Sequence, residues 1–168
     1  MQSYIQTLID ISRAAVGYQL HIESIDLPAF MQHFFGYMES LCRTKEIRLQ
    51  MNTVSLPQML KFDRVLIERA IMNVISKGLD YSPQGGTLHV DVQRNNGFVE
   101  ISVTDEGTGV SKEALSHAQE RFYMGDQSLN SKLHFGMGLN ITNSIMEQHN
   151  SQLNLENSKD PGVAKVSM

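Results

Sequence analysis

The sequence is poor in cysteine and in long apolar runs, and both shortages limit what the chain can be. Cys42 is the only cysteine among 168 residues, and one thiol can form neither an internal disulfide nor a cysteine-based metal cluster. We therefore expect a reducing, cytoplasmic setting. No apolar run reaches the roughly 18 residues that cross a bilayer, and no basic-then-apolar leader opens the chain. Any membrane attachment is expected only through parent segments outside this sequence.

A charge of predominantly one sign is also missing. The formal net charge is −4, and acidic and basic residues are interspersed. The sequence therefore marks no surface for nucleic acid or for an anionic membrane, and we expect no nucleic-acid partner. What the chain does have is apolar content, at 41% of its residues, which is enough for one substantial core at this length. One main domain is expected.

Apolar residues recur at helical spacing in four segments. Gly17 supplies a stop for the first segment. Asp26 is placed to cap the second, with Pro28 in its first turn, and Asp63 is placed to cap the third. The helices predicted in this way cover residues 2–16, 26–42, 63–79 and 139–149.

Shorter segments have the composition and alternation of strands. They cover residues 47–51, 59–62, 88–92 and 99–103, with two more strands after residue 149. A hairpin turn is predicted at residues 95–97, whereas the polar residues 124–138 show little periodicity. The order of these elements predicts an α+β fold, a two-layer sandwich with helices packed on one face of a mixed, mostly antiparallel sheet.

Asp105 is the most informative single residue. It continues the alternation of Val99, Ile101 and Val103 and should therefore point into the core. A buried carboxylate needs a donor, and Gly107 and Gly109 allow a ligand such as an adenine amino group to approach closely. The alternative is a turn aspartate that caps residues 111–118. On this strand alone, both interpretations stay open.

Two further patterns are weak when taken singly. Arg69, Asn73 and Lys77 form a polar stripe on the helix of residues 63–79, and such a stripe is usually a solvated face. Gly136 and Gly138 precede a predicted helix, where free backbone amides favour phosphate.

In their order and separation, however, these segments resemble the nucleotide-binding boxes of the GHKL ATPase superfamily, and specifically of the catalytic domain of sensor histidine kinases. The match covers most of the chain and predicts the Bergerat-type sandwich. The similar segments are residues 63–83 (asparagine box), 103–110 (first glycine box), 120–126 (phenylalanine box) and 136–141 (second glycine box).

The resemblance implies ATP as the ligand and gives each matching residue a role. Asp105 would accept the adenine amino group, with Gly107 and Gly109 against the base and Tyr81 bordering it. Asn73 would face the phosphates, serve as a magnesium ligand and, with Lys77, form the candidate catalytic pair. Near the phosphates and in the lid over them, the family pattern would place Phe122 as an anchor, Lys132 as a basic contact, and the backbone of Gly136, Gly138 and Leu139.

The sequence departs from the family pattern near the phosphates. Lys77 replaces the second asparagine of the helix, the usual magnesium ligand, and an ammonium group cannot ligate a metal. Gly78 and Asp80 replace the usual alanine and a frequent lysine. One interpretation is a surface ion pair between Lys77 and Asp80. The functional interpretation is that the Lys77 ammonium reaches the phosphates and replaces part of the metal's charge.

Further departures lie outside that helix. Val163 or Ala164 stands where a threonine usually assists adenine binding, Asn140 stands for a glycine, and Met124 stands for a frequent arginine.

Residues 1–18 resemble the end of the kinase dimerisation helix and its linker, so we expect a stub there and an ATP-binding domain over residues 19–168. None of the six histidines lies in the context of the family's phosphate acceptor, and we interpret them as surface or packing residues. The expected partners are a histidine-bearing dimerisation domain of the same protein and a response regulator.

Two functions follow from the resemblance. The first is an active kinase domain that transfers the ATP γ-phosphate to the histidine of that dimerisation domain. The second is a non-catalytic nucleotide-binding or scaffolding module with weakened magnesium binding. A chaperone, gyrase or mismatch-repair ATPase is disfavoured, because residues 120–126 and the opening helix look kinase-like and because those enzymes usually carry a glutamate at the position of Asn73.

Overall fold

The structure is a computed structural model that describes residues 19–95, 97–107, 109, 132–157 and 164–167. For residues 132–137, 157 and 164–167 it describes the backbone alone. The predicted opening helix of residues 2–16 and the phenylalanine box around Phe122 lie outside these residues. No described helix has the length and apolar content that crossing a membrane requires.

The described strands form two sheets. A five-stranded sheet has the order β2-β4-β5-β7-β6, with β2 parallel to β4 and the other neighbours antiparallel. A two-stranded antiparallel sheet joins β1 to β3. The strands are β1 (Ile22–Asp26), β2 (Arg48–Val54), β3 (Met59–Asp63), β4 (Thr87–Asn95), β5 (Phe98–Asp105), β6 (Asn154–Asn157) and β7 (Ala164–Ser167).

Three described helices pack against the five-stranded sheet: α1 (Leu27–Thr44), α2 (Arg64–Tyr81) and α3 (Lys132–Gln148). The predicted caps of the first two are confirmed. The Asp26 carboxylate accepts a hydrogen bond from the Ala29 amide at 2.9 Å, and the Asp63 carboxylate accepts one from the Leu66 amide at 3.1 Å. These bonds satisfy backbone donors that a helix start leaves without an intrahelical acceptor.

The core lies between the helices and the sheet. An edge-to-face contact between Phe30 of α1 and Phe62 of β3, with ring centroids 5.2 Å apart, joins the first helix to the smaller sheet. Burying such apolar surface is the main source of stability in a domain of this size. The largest fully buried apolar side chains are Leu27, Met31, Met38, Ile71, Val74, Ile75, Leu88, Val90 and Val92. The predicted α+β sandwich is confirmed.

Two elements differ from the sequence-based prediction. Strand β1 was not predicted, because its first three residues are exposed and it lacks the alternation of a half-buried strand. Helix α3 begins at Lys132 instead of Leu139. Glycines such as Gly136 and Gly138 lower intrinsic helix propensity, but contacts between Gly138 and α2 support the helix at this point.

Candidate functional site

Asp105, the last residue of β5, is a buried carboxylate at the end of the sheet. It is 6% exposed and lies opposite Leu88 of β4. Its Oδ1 accepts a hydrogen bond from the Gly107 amide at 2.8 Å. Burial raises the pKa of Asp105 above the ordinary carboxyl range, and the bond from Gly107 opposes that rise. The predicted inward orientation of Asp105 is confirmed, and the carboxylate can accept hydrogen bonds from a ligand.

Gly107 brings the end of α2 against the end of β5. A Cβ atom at this position would lie 2.5 Å from the carbonyl oxygen of Tyr81 and 2.6 Å from Asp105 Oδ1. Only glycine fits such an approach. The Tyr81 side chain is 45% exposed, and partial burial, followed by the charges of Asp80 and Asp105, raises the pKa of its phenol. Asp105, Gly107 and Tyr81 therefore form one cluster, and Gly109 follows with a left-handed φ of 74°.

A second cluster joins α2 to α3. The Asn73 Nδ2 atom donates to the carbonyl oxygen of Gly138 at 3.2 Å and to Thr142 Oγ1 at 3.4 Å. The Thr142 hydroxyl also donates to the Gly138 carbonyl, at 3.0 Å. Asn73 lies two turns before Tyr81 on α2, so the two clusters are separated by about 12 Å along the helix at 1.5 Å per residue. Both clusters therefore include a residue of α2, one near its middle and one at its end.

Lys77 lies between the two clusters on the same stripe of α2. It is half-buried, and burial lowers the pKa of its ammonium group, whereas the charge of Asp80 raises it. The Asp80 carboxylate forms an ion pair with Lys45, with Nζ and Oδ1 2.7 Å apart. Asp80 thus interacts with Lys45 as well as with the charge of Lys77, and the surface interpretation of Lys77 and Asp80 stays a prediction. Gly78 lies against the sheet, where an added Cβ would be 2.6 Å from Leu88 Cδ1.

The glycines of the predicted phosphate contact lie inside α3. Because the helix begins at Lys132, Gly136, Gly138 and Leu139 follow its first turn. The expectation of free amides at a helix start at these residues is therefore wrong for the described structure, since only the first four amides of a helix lack an intrahelical acceptor. The side chain of Lys132 and all of Phe122 lie outside the described residues.

The described residues offer few protein ligands for magnesium. Among them no group of three or more histidine, cysteine, aspartate or glutamate side chains could hold a metal ion. Magnesium prefers six oxygen ligands in an octahedron. Along the described stripe of α2, Asn73 offers a single amide oxygen, and the next residue on the stripe, Lys77, is a cation.

Two residues of the site were missed from the sequence. Thr142 is a polar residue among the buried positions Ile141, Ile145 and Met146 of α3, and a hydroxyl at such a position was the available signal. Glu106 follows Asp105, and its carboxylate accepts a hydrogen bond from the Thr87 amide at 3.0 Å, which fixes the start of β4 beside the end of β5.

Comparisons with known proteins give a consistent family. Residues 62–167 match the family model described as histidine kinase-, DNA gyrase B-, and HSP90-like ATPase. The chain is 30% identical to the sensor histidine kinase SpaK of Bacillus subtilis over 158 residues, which are 94% of this chain and 34% of that protein. It is 30% identical to the sensor histidine kinase WalK of Bacillus subtilis (strain 168) over 139 residues, or 81% of this chain and 23% of that protein. The chain thus spans about a third of the length of such relatives, or less.

Solved structures show the same fold at low identity. Full-length ShkA in complex with AMPPNP superposes with a TM-score of 0.80 at 18% identity, covering 98% of this chain and 34% of that one. The nucleotide-free catalytic domain of the histidine kinase ThkA gives a TM-score of 0.72 at 17% identity, covering 88% of this chain and 95% of that one. ThkA in complex with the response regulator TrrA superposes with a TM-score of 0.76 at 16% identity, covering 99% of this chain and 47% of that one.

Proposed function

Because the chain belongs to the family of histidine kinase-, DNA gyrase B-, and HSP90-like ATPases, we propose that it is the ATP-binding catalytic domain of a sensor histidine kinase. The observation that carries the proposal is the buried Asp105 carboxylate at the end of β5, beside which Gly107 lets the end of α2 pack too closely for any side chain. The similarity to sensor histidine kinases over 94% of the chain favours this function over a chaperone or gyrase.

In this proposal the adenine base lies at the cluster of Asp105, Gly107 and Tyr81, with Gly109 next to it. Asp105 accepts a hydrogen bond from the exocyclic amino group, which no guanine carries at that position. The phosphates extend along α2 past Lys77 to Asn73 and Gly138. Burial in a low-dielectric site strengthens each of these polar contacts relative to water.

The proposed reaction transfers the ATP γ-phosphoryl group to a histidine nitrogen of a dimerisation domain. The bond between the γ-phosphorus and its bridging oxygen breaks, a phosphorus–nitrogen bond forms, ADP leaves, and the imidazole loses a proton. Such transfers depend on positioning and on charge neutralisation more than on covalent help from the protein. A response regulator would then receive the phosphoryl group, as the ThkA–TrrA complex supports. The lone thiol fits our proposal that the domain works in the cytoplasm.

Nucleotide binding is the first test. Titration calorimetry with ATP and ADP should give saturable binding to the wild-type chain and strongly weakened binding to Asp105→Asn. In this variant the side-chain NH2 group would face the adenine amino group, and two hydrogen-bond donors would meet. Unchanged binding to this variant, or no binding to the wild type, would overturn the proposal. A kinase would also label an added histidine-bearing dimerisation domain with radioactive ATP, whereas a scaffolding module would bind the nucleotide and leave the histidine unlabelled.

We further propose that the Lys77 ammonium supplies positive charge to the phosphates that an asparagine-bound metal would otherwise supply. Its place on α2 between the two clusters supports this role. Lys77→Asn should lower ATP affinity in the presence of chelator, by about tenfold for the loss of one charge-assisted contact, and should gain affinity when magnesium is added. Lys45→Asn is the matched control, because Lys45 is held by Asp80. A strict magnesium requirement in the wild-type chain would contradict the proposal.

A further inference from the structure

Thr142 carries a buried hydroxyl group that makes no contact with the nucleotide in the proposed function. It is 0% exposed and lies on α3, one turn after Gly138. Its hydroxyl hydrogen goes to the Gly138 carbonyl at 3.0 Å, and its oxygen accepts from Asn73 Nδ2 at 3.4 Å. The shorter bond alone would be a common one, since helical threonines often bond the carbonyl one turn earlier. The bond to a residue on another helix is the unusual part.

The network determines which way the Asn73 amide is turned. The Gly138 carbonyl can only accept, so the end of the Asn73 side chain that contacts it must be the nitrogen. The Thr142 hydroxyl donates its hydrogen to the same carbonyl, and its oxygen accepts a hydrogen bond from Asn73 Nδ2. Both described hydrogen bonds of the Asn73 side chain thus use Nδ2. Neither bond uses the side-chain oxygen, which keeps its capacity to accept a hydrogen bond from a ligand.

Gly138 lies directly against the side chain of Asn73. A Cβ atom there would lie 3.8 Å from Asn73 Cγ, which is ordinary van der Waals contact. The Asn73 amide is therefore packed against the α3 backbone as well as hydrogen-bonded to it. A side chain fixed by packing and by surrounding hydrogen bonds presents its functional atom more accurately than a mobile one.

We propose that Thr142 is a positioning residue that holds the Asn73 side chain with its oxygen toward the phosphate end of the nucleotide. The proposal rests on the proposed nucleotide site and adds a residue to it. Thr142 does not touch the nucleotide in this arrangement. Its effect is confined to the phosphate end, because Asp105 and Gly107 form the base end with no contribution from α3 in their described hydrogen bonds.

The experiment compares Thr142→Val with Thr142→Ser. Valine keeps the shape of threonine and removes the hydroxyl, whereas serine keeps the hydroxyl. Binding of ATP, ADP and adenosine is measured by competition against a fluorescent ADP analogue. We expect Thr142→Val to weaken ATP and ADP binding about 3- to 10-fold, as the loss of one hydrogen bond does, and to leave adenosine binding within about twofold. Thr142→Ser should bind all three as the wild type does.

A purely structural role for Thr142 predicts a different pattern. General loosening of α2 against α3 would lower the melting temperature and weaken adenosine together with ATP, or would leave all three affinities unchanged, and either result overturns the proposal. Asp105→Asn distinguishes a defect at the base end from a defect at the phosphate end, since it should weaken the binding of adenosine and of ATP alike. If wild-type protein binds none of the three ligands, the proposed function itself fails; if it binds them and Thr142→Val does not separate ATP from adenosine, only the role of Thr142 fails.

Discussion

The Asp105 carboxyl group should lower the stability of the ligand-free domain. Burial raises its pKa, so the folded state binds a proton more tightly than the unfolded chain does. Below the ordinary carboxyl pKa of about 3.9, Asp105 is protonated in both states, and its ionisation does not lower the free energy of unfolding. As the pH rises through the window up to the raised folded pKa, ionisation increasingly favours the unfolded chain. Each unit by which the folded pKa exceeds the unfolded one lowers the free energy of unfolding by about 1.4 kcal/mol at a pH above both values.

Asp105→Asn should therefore unfold at a higher denaturant concentration than the wild type at neutral pH, and the two should converge under acid conditions. Asparagine keeps an oxygen that can accept from the Gly107 amide, so the local hydrogen bond survives. Asp91→Asn, a change to a half-buried aspartate of β4, is the control. If Asp105→Asn is the less stable protein at pH 7, the carboxylate is better satisfied in the free domain than its surroundings indicate.

Gly107 should not accept alanine. The new Cβ would lie 2.5 Å from a backbone oxygen, and the backbone at the ends of α2 and β5 would have to separate. Overpacking of this kind costs about 1–3 kcal/mol. We expect Gly107→Ala to lower the melting temperature and to weaken adenosine binding, because the strands and helix that shape the base end have moved.

Gly36→Ala is the matched glycine control for this change. Nothing lies within 4 Å of the Cβ that alanine would add at this exposed position of α1. Alanine is favoured over glycine within helices by up to about 1 kcal/mol, so this variant should be slightly more stable and should bind adenosine normally. A normal melting temperature for Gly107→Ala would show that the two elements can separate at little cost.

At the scale of the elements, the start of α3 decides whether its glycine amides can meet phosphate. Residues 136–139 lie inside the helix, so their amides become available only if its first turns open. Gly138→Ala should make opening harder, because alanine favours the helix by up to about 1 kcal/mol and its Cβ meets Asn73 at an ordinary distance.

The expected result for Gly138→Ala is a higher melting temperature with ATP affinity reduced by up to about fivefold, the equivalent of about 1 kcal/mol. Adenosine affinity should not change, because the described hydrogen bonds of Asp105 and Gly107 do not involve α3. Differential scanning fluorimetry and the competition assay measure the two effects. An ATP affinity equal to that of the wild type would show that the phosphates do not need these amides.

The elements differ in how far the sequence predicts them. Asp26 and Asp63 are local signals, since a cap satisfies amides within its own first turn, and both helix starts were predicted correctly. The start of α3 depends on contacts with α2 that are distant in sequence, and local propensity favoured a loop there. Strand β1 is defined only by its pairing with β3, which alternation within five mostly exposed residues cannot reveal.

At the scale of the whole molecule, the fold places two clusters at two points along α2. One contains Asp105, Gly107 and Tyr81, and the other contains Asn73, Gly138 and Thr142. The inward orientation of Asp105 followed from alternation along β5, and Asn73 and Tyr81 followed from family spacing. The contact of Thr142 with Asn73 could not be predicted from the sequence, because it forms only where α3 packs against α2. Sequence periodicity predicts which residues face the core, whereas pairings between distant elements need the packed structure.

ATP should raise the stability of the entire domain by mass action, and the size of this effect tests the site independently of catalysis. A ligand that binds only the folded state at 100 times its Kd adds about 2.7 kcal/mol to the free energy of unfolding. The melting temperature of the wild type should rise steadily with ATP concentration. Asp105→Asn should start from a higher melting temperature and show little further rise.

The two melting curves should therefore approach each other as ATP is added and cross where ligand stabilisation exceeds the cost of burying the ionised carboxyl group. Gly36→Ala should follow the wild type, displaced by a constant amount. Parallel curves for the wild type and Asp105→Asn would show that ATP stabilises the domain from a site that does not include Asp105. A crossing would tie both the instability of the free domain and its recovery by nucleotide to the same buried carboxylate.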